Sequence, residues 1–123
     1  MASHYRTALG ARGEELAARF LEAQGYTVRE RNYHCRYGEI DLICELQGQV
    51  VFCEVKLRRS DAYGTPEEAV TARKLGRLVS AAQTYLAERE AEDADWRIDV
   101  VAIEVDRRGA VVRTALYQSV GLP

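Results

Sequence analysis

Two carboxylates and a lysine are spaced so that a β-hairpin would bring them together. Asp41 lies within the apolar run 40–43, Glu54 lies within the apolar run 50–57, and Lys56 follows two residues later. Because side chains alternate between the faces of a strand, Glu54 and Lys56 share a face. A hairpin closed around residues 47–48 would place Asp41 opposite Glu54. Clustered carboxylates are costly unless a cation lies between them, so the pattern predicts a divalent metal site suited to phosphodiester chemistry.

A solvated sheet face is the simpler explanation of the same pattern. A Glu-x-Lys sequence on a strand usually means that one face meets water and that the lysine neutralises the glutamate. Two observations favour the metal site. The strand that carries Glu54 is otherwise apolar, as expected of a covered central strand where charge is costly. The preceding strand also supplies an acid, Asp41. From the spacing alone, both interpretations stay open.

The same residues resemble the PD-(D/E)XK signature of the restriction-endonuclease-like nucleases, in which an acid precedes a Glu-x-Lys sequence. The chain is closer still to one bacterial branch, the YraN-like family, which is related to archaeal Holliday-junction resolvases. Ile40 departs from the signature, which has proline there, but this position supplies backbone rather than chemistry. The matching stretches run from the first helix almost to the last strand, at residues 13–18, 25–26, 31–33, 38–43, 52–58, 74 and 97–100.

The resemblance implies a nuclease that depends on Mg²⁺ or Mn²⁺. Asp41, Glu54 and the carbonyl of Val55 would hold the metal ion, and Glu39 would be an additional ligand or a supporting group. Lys56 would orient the attacking water or stabilise the phosphorane, whereas a role as a base would require a lowered pKa. Oxygen ligands without a nearby histidine favour Mg²⁺ or Mn²⁺ over zinc.

Glu14 is the remaining predicted catalytic residue. It lies at helical spacing from Ala18 and Leu21, so it borders the expected buried stripe of the first helix. Acids favour the first turn of a helix for electrostatic reasons alone, which is the simpler explanation. Resolvase-like members of the superfamily have a first-helix glutamate beside the metal, and the Gly13–Glu14 pair resembles that motif. Glu15 is the alternative, disfavoured because it points away from this side.

Positive charge brackets the proposed site, although the formal net charge is −2. Arginines precede the acidic strand, follow the Glu-x-Lys sequence and open the later helix, whereas acids concentrate in residues 88–95. For nucleic-acid binding, the distribution of charge matters more than its sum. Any one of these arginines is also typical of ordinary solvated surface. The predicted nucleic-acid-binding residues are Arg31, Arg36, Arg58 and Lys74.

The composition is that of one soluble globular domain spanning residues 1–123. No apolar run approaches membrane-spanning length and no signal-peptide pattern opens the chain, so we expect no membrane association and a cytoplasmic location. The cysteines are Cys35, Cys44 and Cys53, an odd number without close spacing. They predict neither a disulfide framework nor a zinc site, and we interpret them as small buried residues.

Periodicity and turn signals predict a helix, three strands, a second helix and two further strands. The second helix has a strong start in Thr65, Pro66 and Glu68, which suit a cap, a first helical position and a capping box, and a restart near Thr71 is an alternative. The resemblance implies the same αβββαβ order. We therefore expect an α/β fold of the restriction-endonuclease-like type. Its mixed central sheet would have about five strands, flanked by helices, with the last strand at an edge.

These observations favour a metal-dependent endonuclease that hydrolyses phosphodiester bonds in DNA. Nothing resembles a base-reading helix, so recognition should rest on phosphates and on the shape of single-stranded, flapped or branched DNA. The resolvase-like relatives act as two-fold dimers, so the resemblance also allows a homodimer. Two other classes stay open: a nucleic-acid-binding module that kept the fold without cleavage, and a scaffold whose acidic hairpin is structural.

Overall fold

The elements follow the predicted order along the chain. A computed structural model describes residues 8–61 and 70–121. The helices and strands are α1 Ala8–Ala23, β1 Thr27–Cys35, β2 Gly38–Leu46, β3 Gln49–Arg59, α2 Ala72–Glu88, β4 Trp96–Val105 and β5 Val111–Tyr117.

The five strands form one mixed sheet in the order β1-β2-β3-β4-β5. β3 and β4 are parallel, and the other neighbouring pairs are antiparallel. The parallel pair requires a crossover connection, and α2 lies within it. β3 is therefore the central strand and β5 an edge strand, both as predicted. This α/β architecture confirms the predicted fold class and is consistent with a restriction-endonuclease-like core.

Each face of the sheet packs against one helix. Successive residues of β3 alternate between the two sides, so Cys53 contributes to the core beneath α1 and Phe52 to the core beneath α2. On the α1 side, Ala17, Ala18 and Leu21 are completely buried. Helical spacing predicts that the second helix buries a stripe of Ala69, Val70, Leu75, Leu78, Val79, Ala82 and Leu86. The last five of these pack in the second core, to which the structure adds Ala81 and Tyr85, and Ala69 lies outside the described residues.

α2 begins at the alternative start. Thr71 is its N-cap, with an extended backbone and a side chain that accepts a hydrogen bond from the backbone N–H of Lys74. Val70, expected in the buried stripe, precedes the helix. The stronger predicted start at Thr65, Pro66 and Glu68 lies outside the described residues. The cap at Thr71 therefore sets where α2 begins relative to the end of β3.

The tight turn between β2 and β3 sets the register of that hairpin. Gln47 and Gly48 both have positive φ, 50° and 83°, which is the conformation of a two-residue turn that matches the twist of antiparallel strands. Leu46 consequently pairs with Gln49, and Leu42 pairs with Cys53. The chain thus closes the predicted hairpin around residues 47–48.

The cysteines behave as small core residues. Cys44 and Cys53 are buried, Cys35 is partly buried, and all three thiols are free. The hydrogen bond with Cys44, together with burial, raises the pKa of the Cys53 thiol well above its usual value. The Cys53 side chain is therefore a neutral packing group.

Neither helix within the described residues is long and apolar enough to cross a membrane.

A buried polar network ties the start of β4 to distant parts of the chain. Asp99 is completely buried and accepts hydrogen bonds from the Tyr26 hydroxyl at 2.7 Å and from the Ser119 backbone N–H at 3.0 Å. The Arg97 guanidinium lies beside it, with Nε donating to Oδ1 at 3.1 Å. Gln118 donates to the Tyr26 hydroxyl at 2.9 Å. The network therefore joins the loop before β1, strand β4 and the segment after β5.

We predict that Asp99→Ala lowers the free energy of unfolding by about 3–5 kcal/mol, because it leaves the guanidinium of Arg97 without its charge partner. Urea denaturation measures this loss. Asp93→Ala, at an exposed acid between α2 and β4, is the matched control and should change stability by less than about 0.5 kcal/mol. Equal losses in the two variants would contradict a stabilising role for the Asp99 network.

Candidate active site

The structure brings Asp41 and Glu54 together where β2 and β3 part. Pairing between these strands ends at Leu42 and Cys53, and the next residue on each strand is one of the two acids. The side chain of Glu54 is hydrogen-bonded to that of Asp41. β3 continues beyond this point with β4 as its partner, as far as Arg59. The two carboxyl groups therefore occupy an opening in the sheet.

An irregularity in β1 faces Asp41 across β2. Arg31 pairs with Leu42 and Tyr33 pairs with Ile40, so Asn32 stands opposite Asp41. Asn32 has a φ of 56°, in the left-handed region. On β2, Ile40 packs in the core beneath α2 whereas Leu42 packs beneath α1. The strict alternation of faces is thus broken at Asp41, as happens at the bulges that re-aim side chains near active sites.

Asp41 is anchored to the neighbouring strand by a backbone hydrogen bond. The N–H of Val55 donates to Oδ2 of Asp41 at 2.8 Å. This bond joins the backbone of β3 to a side chain of β2. It takes the place of the backbone pairing between these two strands, which ends at Leu42 and Cys53. It holds one carboxylate oxygen of Asp41 beside Glu54 and the backbone of Val55, which is where the sequence predicted the metal ligands to meet.

Burial and neighbouring acids make the charge on Asp41 costly. Burial, the Coulombic effect of Glu54 and the more distant charge of Glu14 raise the pKa of Asp41 to about 8, although the Val55 N–H acts in the opposite direction. A carboxyl group with so high a pKa in a cleft is a candidate functional group. A cation bound between the two acids would remove the repulsion that raises the pKa.

Lys56 is a cation at this site. Its Nζ lies 3.4 Å from Oε2 of Glu54. Burial lowers the pKa of Lys56, the carboxylates of Glu54 and Asp41 raise it, and the net shift is upward. The neighbouring Lys56 lowers the pKa of Lys74. The lowered pKa that Lys56 would need to act as a base is therefore absent.

The structure separates the two glutamates of α1. Glu14 is 6 % exposed and close enough to Asp41 to raise its pKa. Glu15 lies on the exposed side, where it accepts hydrogen bonds from Arg31 and Arg19. Gly13 permits this placement, because a Cβ atom there would lie only 3.1 Å from Cβ of Leu57 in β3. Of the two alternatives, Glu14 is the one directed to the site.

An open cavity of about 310 Å³ exposes the paired acids. Glu39 lines it, and Oε2 of Glu39 lies 3.2 Å from Nδ1 of His34, which links a third acid to β1. The remaining charged residues of the wall are cations from β3 and α2, namely Lys56, Lys74 and Arg77. Acids and cations thus line one cavity that is large enough for a phosphate group.

The predicted nucleic-acid-binding residues are distributed unevenly around this cavity. Lys74 lines it, and Arg36 adjoins Tyr37, which lines it too. Arg58 is partly buried two residues beyond Lys56, and Arg31 is engaged with Glu15.

Arg77 and Tyr37 are cavity residues that the sequence analysis did not select. Arg77 could have been found, because it lies one helical turn beyond Lys74 and so shares its side of α2. Tyr37 had no comparable signal, since its position depends on how the β1–β2 turn packs near α2.

The donor set at the candidate site is small and consists of oxygen atoms. In residues 8–61 and 70–121, no three acidic, histidine or cysteine side chains are grouped so as to hold a metal ion by themselves. Asp41 and Glu54 supply two carboxylates, and the Val55 backbone adjoins them. Mg²⁺ is commonly held by one or two carboxylates while it keeps several waters, so these residues fit Mg²⁺ or the chemically similar Mn²⁺.

The fold and the site together define an α/β protein with paired acids at the opening of a mixed sheet. A profile of the uncharacterised protein family UPF0102 matches residues 13–103, and the chain belongs to this family. The match confirms the predicted YraN-like membership. It spans every predicted site residue and ends before β5.

Relatives from several bacteria carry the same family name, "UPF0102 protein". The protein from Syntrophomonas wolfei is 52% identical over 98 residues, which cover 80% of this chain and 85% of the relative. The protein from Beutenbergia cavernae is 50% identical over 105 residues, covering 85% and 89%. The protein from a Nocardioides species is 48% identical over 111 residues, covering 90% of each chain. This chain is therefore similar to these relatives over most of their length.

We predict that Asp41→Asn flattens the pH dependence of stability in metal-free protein. The pKa of Asp41 is about 8 in the folded protein and 3.8 in the unfolded reference state. Between these two pH values, the folded protein therefore binds more protons than the unfolded chain does. This contribution to stability is complete below pH 4 and is lost as the pH rises through 8. At pH 9, the variant should melt several degrees higher than the wild type, since about 1 kcal/mol corresponds to roughly 4 °C in a domain of this size.

Thermal melts in buffers containing a chelator, from pH 5 to pH 9, measure the difference. Asp93→Asn, at an exposed acid, is the control and should follow the wild-type curve. Parallel curves for Asp41→Asn and the wild type would show that Asp41 titrates normally.

Proposed function

We propose that this protein is a metal-dependent nuclease of the PD-(D/E)XK superfamily that hydrolyses phosphodiester bonds in DNA. One observation carries the proposal. The hydrogen-bonded carboxyl groups of Asp41 and Glu54 lie beside Lys56 in an open cavity, and Lys74 and Arg77 line its α2 wall. This arrangement pairs a cation site with positive side chains, which is what a reacting phosphate requires.

Each residue has a distinct role in the proposed reaction. Asp41, Glu54 and the Val55 carbonyl would hold Mg²⁺ or Mn²⁺, which supplies charge neutralisation and activation of water when bound. Lys56 keeps its proton and donates a hydrogen bond to a non-bridging oxygen of the scissile phosphate. Glu14, buried close to Asp41, accepts a hydrogen bond from the attacking water and orients it. Because Lys56 is held as a cation by Glu54, stabilisation of the developing negative charge is its role, rather than proton abstraction.

The cations of α2 bind the DNA backbone in this proposal. Lys74 and Arg77 lie on the same side of α2 and line the cavity with the acids, so they can neutralise the phosphates that flank the scissile bond. Arg36, Arg58 and Arg31 stay predictions as further phosphate contacts. Recognition through phosphates and shape gives structure-selective cleavage with weak sequence preference.

The intact acid pair favours an enzyme over a binding module. A protein that only bound DNA would gain nothing from two partly buried acids beside a negatively charged ligand, since these acids repel it. A scaffold protein would likewise have no use for a cavity lined by Lys56, Lys74 and Arg77. A binding module predicts that loss of the acids leaves DNA binding unimpaired, whereas a scaffold predicts neither DNA binding nor cleavage in the wild type.

A homodimer of the resolvase type stays a prediction from the resemblance. Within the described residues, the exposed aliphatic side chains are Val111 and Val112 on the edge strand β5, 43% and 55% exposed. They form a smaller apolar surface than the patches that usually mark interfaces. Light scattering of the purified protein reports the oligomeric state.

We predict that Glu54→Gln and Lys56→Ala each lower metal-dependent cleavage by about 100-fold or more, because each removes a charge that acts on the transition state. The assay is cleavage of single-stranded, duplex, flapped and four-way DNA, and of RNA, with Mn²⁺ or Mg²⁺. Circular dichroism verifies that the variants are folded. Full activity in purified Glu54→Gln would refute the proposed site.

Glu22→Gln, at an exposed acid of α1, is the control and should cleave as the wild type does. Calorimetric titration with Mn²⁺ adds a measurement that does not depend on finding the substrate. Heat of binding in the wild type that vanishes in Asp41→Asn supports a metal-dependent enzyme, whereas no binding in either protein supports the non-catalytic alternatives.

We also predict that Lys74→Ala and Arg77→Ala weaken DNA binding most at low salt. Phosphate contacts act through counterion release, so each variant should reduce the slope of log affinity against log salt by about 1. Fluorescence anisotropy over a salt series measures the slope. Arg19→Ala, at an exposed arginine on α1 across the sheet, should leave the slope unchanged. An equal effect at Arg19 would place the DNA-binding surface elsewhere.

A further inference from the structure

Tyr37 is an exposed aromatic residue at the rim of the candidate active site. It forms the turn between β1 and β2 together with Arg36, since Cys35 pairs with Gly38 on either side of them. Within the described residues, the large apolar side chains that are exposed are Tyr37, Val111 and Val112. Only Tyr37 among these three lines the cavity that contains the paired acids.

A second hollow begins where the active-site cavity ends. This α2 groove has a volume of about 280 Å³ and is lined by Tyr37 and four residues of one α2 face, Ser80, Gln83, Thr84 and Ala87. Tyr37 lines both hollows, so a ligand could pass from one to the other across its ring. Among the described residues, those that line the α2 groove are uncharged, in contrast to the cavity, where the cations are gathered.

Arg36 holds the Tyr37 ring in place. The guanidinium carbon of Arg36 lies 4.8 Å from the ring centroid, and Nη2 donates a hydrogen bond to the Tyr37 hydroxyl at 2.8 Å. The side chain is nevertheless 38% exposed. An aromatic ring held by its neighbour and left open to solvent loses little conformational entropy when a flat ligand stacks on it.

We propose that Tyr37 stacks on an unpaired base of the DNA, next to the phosphate that is cleaved, with the strand continuing along the α2 groove. This inference rests on the proposed nuclease function and specifies its substrate as DNA with a single-stranded segment at the cut. Stacking on an aromatic side chain requires a free base face, which a base within a duplex does not offer.

The charge distribution supports this occupant. The phosphate at the reaction site would meet Lys56, Lys74 and Arg77, whereas the neighbouring groove offers neutral polar side chains such as Ser80 and Gln83. A duplex would bring two dense rows of phosphates and would need cations along both grooves. A single strand brings bases and sugars to a neutral surface.

The test uses Glu54→Gln as the parent, so that binding is measured without cleavage. Fluorescence anisotropy compares a single-stranded oligonucleotide with a blunt duplex of the same sequence. Tyr37→Ala and Tyr37→Leu in this parent should weaken single-strand binding roughly 5- to 100-fold, the effect of losing one stacked base. Tyr37→Trp should restore the affinity, and duplex binding should be the same in all four proteins.

Two controls separate stacking from other causes. Val112→Ala, at an exposed apolar residue of β5, should bind like the parent. Quenching of a 2-aminopurine base in the oligonucleotide reports stacking directly, and it should be present in the parent and absent in Tyr37→Leu.

Different results overturn this inference and the proposed function. If the wild type cleaves DNA but Tyr37→Ala binds the single strand as tightly as its parent, the stacking role is wrong and the nuclease proposal survives. Equal losses of single-strand and duplex binding would also overturn the stacking role. If the wild type neither binds nor cleaves any nucleic acid, both proposals fail.

Discussion

The repulsion between the partly buried carboxyl groups of Asp41 and Glu54 is the constraint on which the site depends. Burial alone disfavours the charge on Asp41, and the adjacent Glu54 and nearby Glu14 add to that cost. No strand would accumulate these groups for stability, since apolar residues would pack there at lower free energy. The charge of these acids would become favourable with a cation between them, as the proposed metal site requires.

The surrounding structure keeps this unfavourable cluster in one geometry. The Val55 N–H fixes one oxygen of Asp41, and Lys56 lies beside Glu54. The opening between β2 and β3 provides room, because β3 continues to pair with β4 after its pairing with β2 has ended. The Asp99 network, on the strand that pairs with β3, and the two cores stabilise the sheet around the site. An energetically costly site is thus carried by elements that are themselves well packed.

The charges around the site also explain how an acidic protein could act on DNA. The net charge of −2 describes the whole chain, whereas the start of α2 gathers Lys74 and Arg77 beside Lys56. Among the described residues, the wall of the α2 groove beyond these cations is neutral. Within the two hollows, positive charge is concentrated where a phosphate would react, and such a distribution suits a short or flexible segment of nucleic acid better than a long duplex.

The sequence by itself determined the strands, the hairpin and the pairing of its acids. Alternating side chains and the turn at Gln47 and Gly48 are local signals, and together they set the register that brings Asp41 to Glu54. The order of the helices and strands could be predicted for the same reason, because hydrophobic periodicity and helix caps depend on neighbouring residues. The start of α2 was ambiguous, since two good caps lie close together, and the described residues show the one at Thr71.

Tertiary structure decided what converges on the acids from elsewhere. Helical spacing marked Glu14 and the side of α2 that Arg77 shares with Lys74. That these side chains lie near the acids, with Tyr37 beside them, depends on α1 and α2 packing against opposite faces of the sheet. The break in alternation at Asp41 likewise depends on Asn32 across the sheet. Such contacts join residues far apart in the chain, and no local pattern encodes them. Local signals fix which groups each element presents, and long-range packing fixes which of those groups meet.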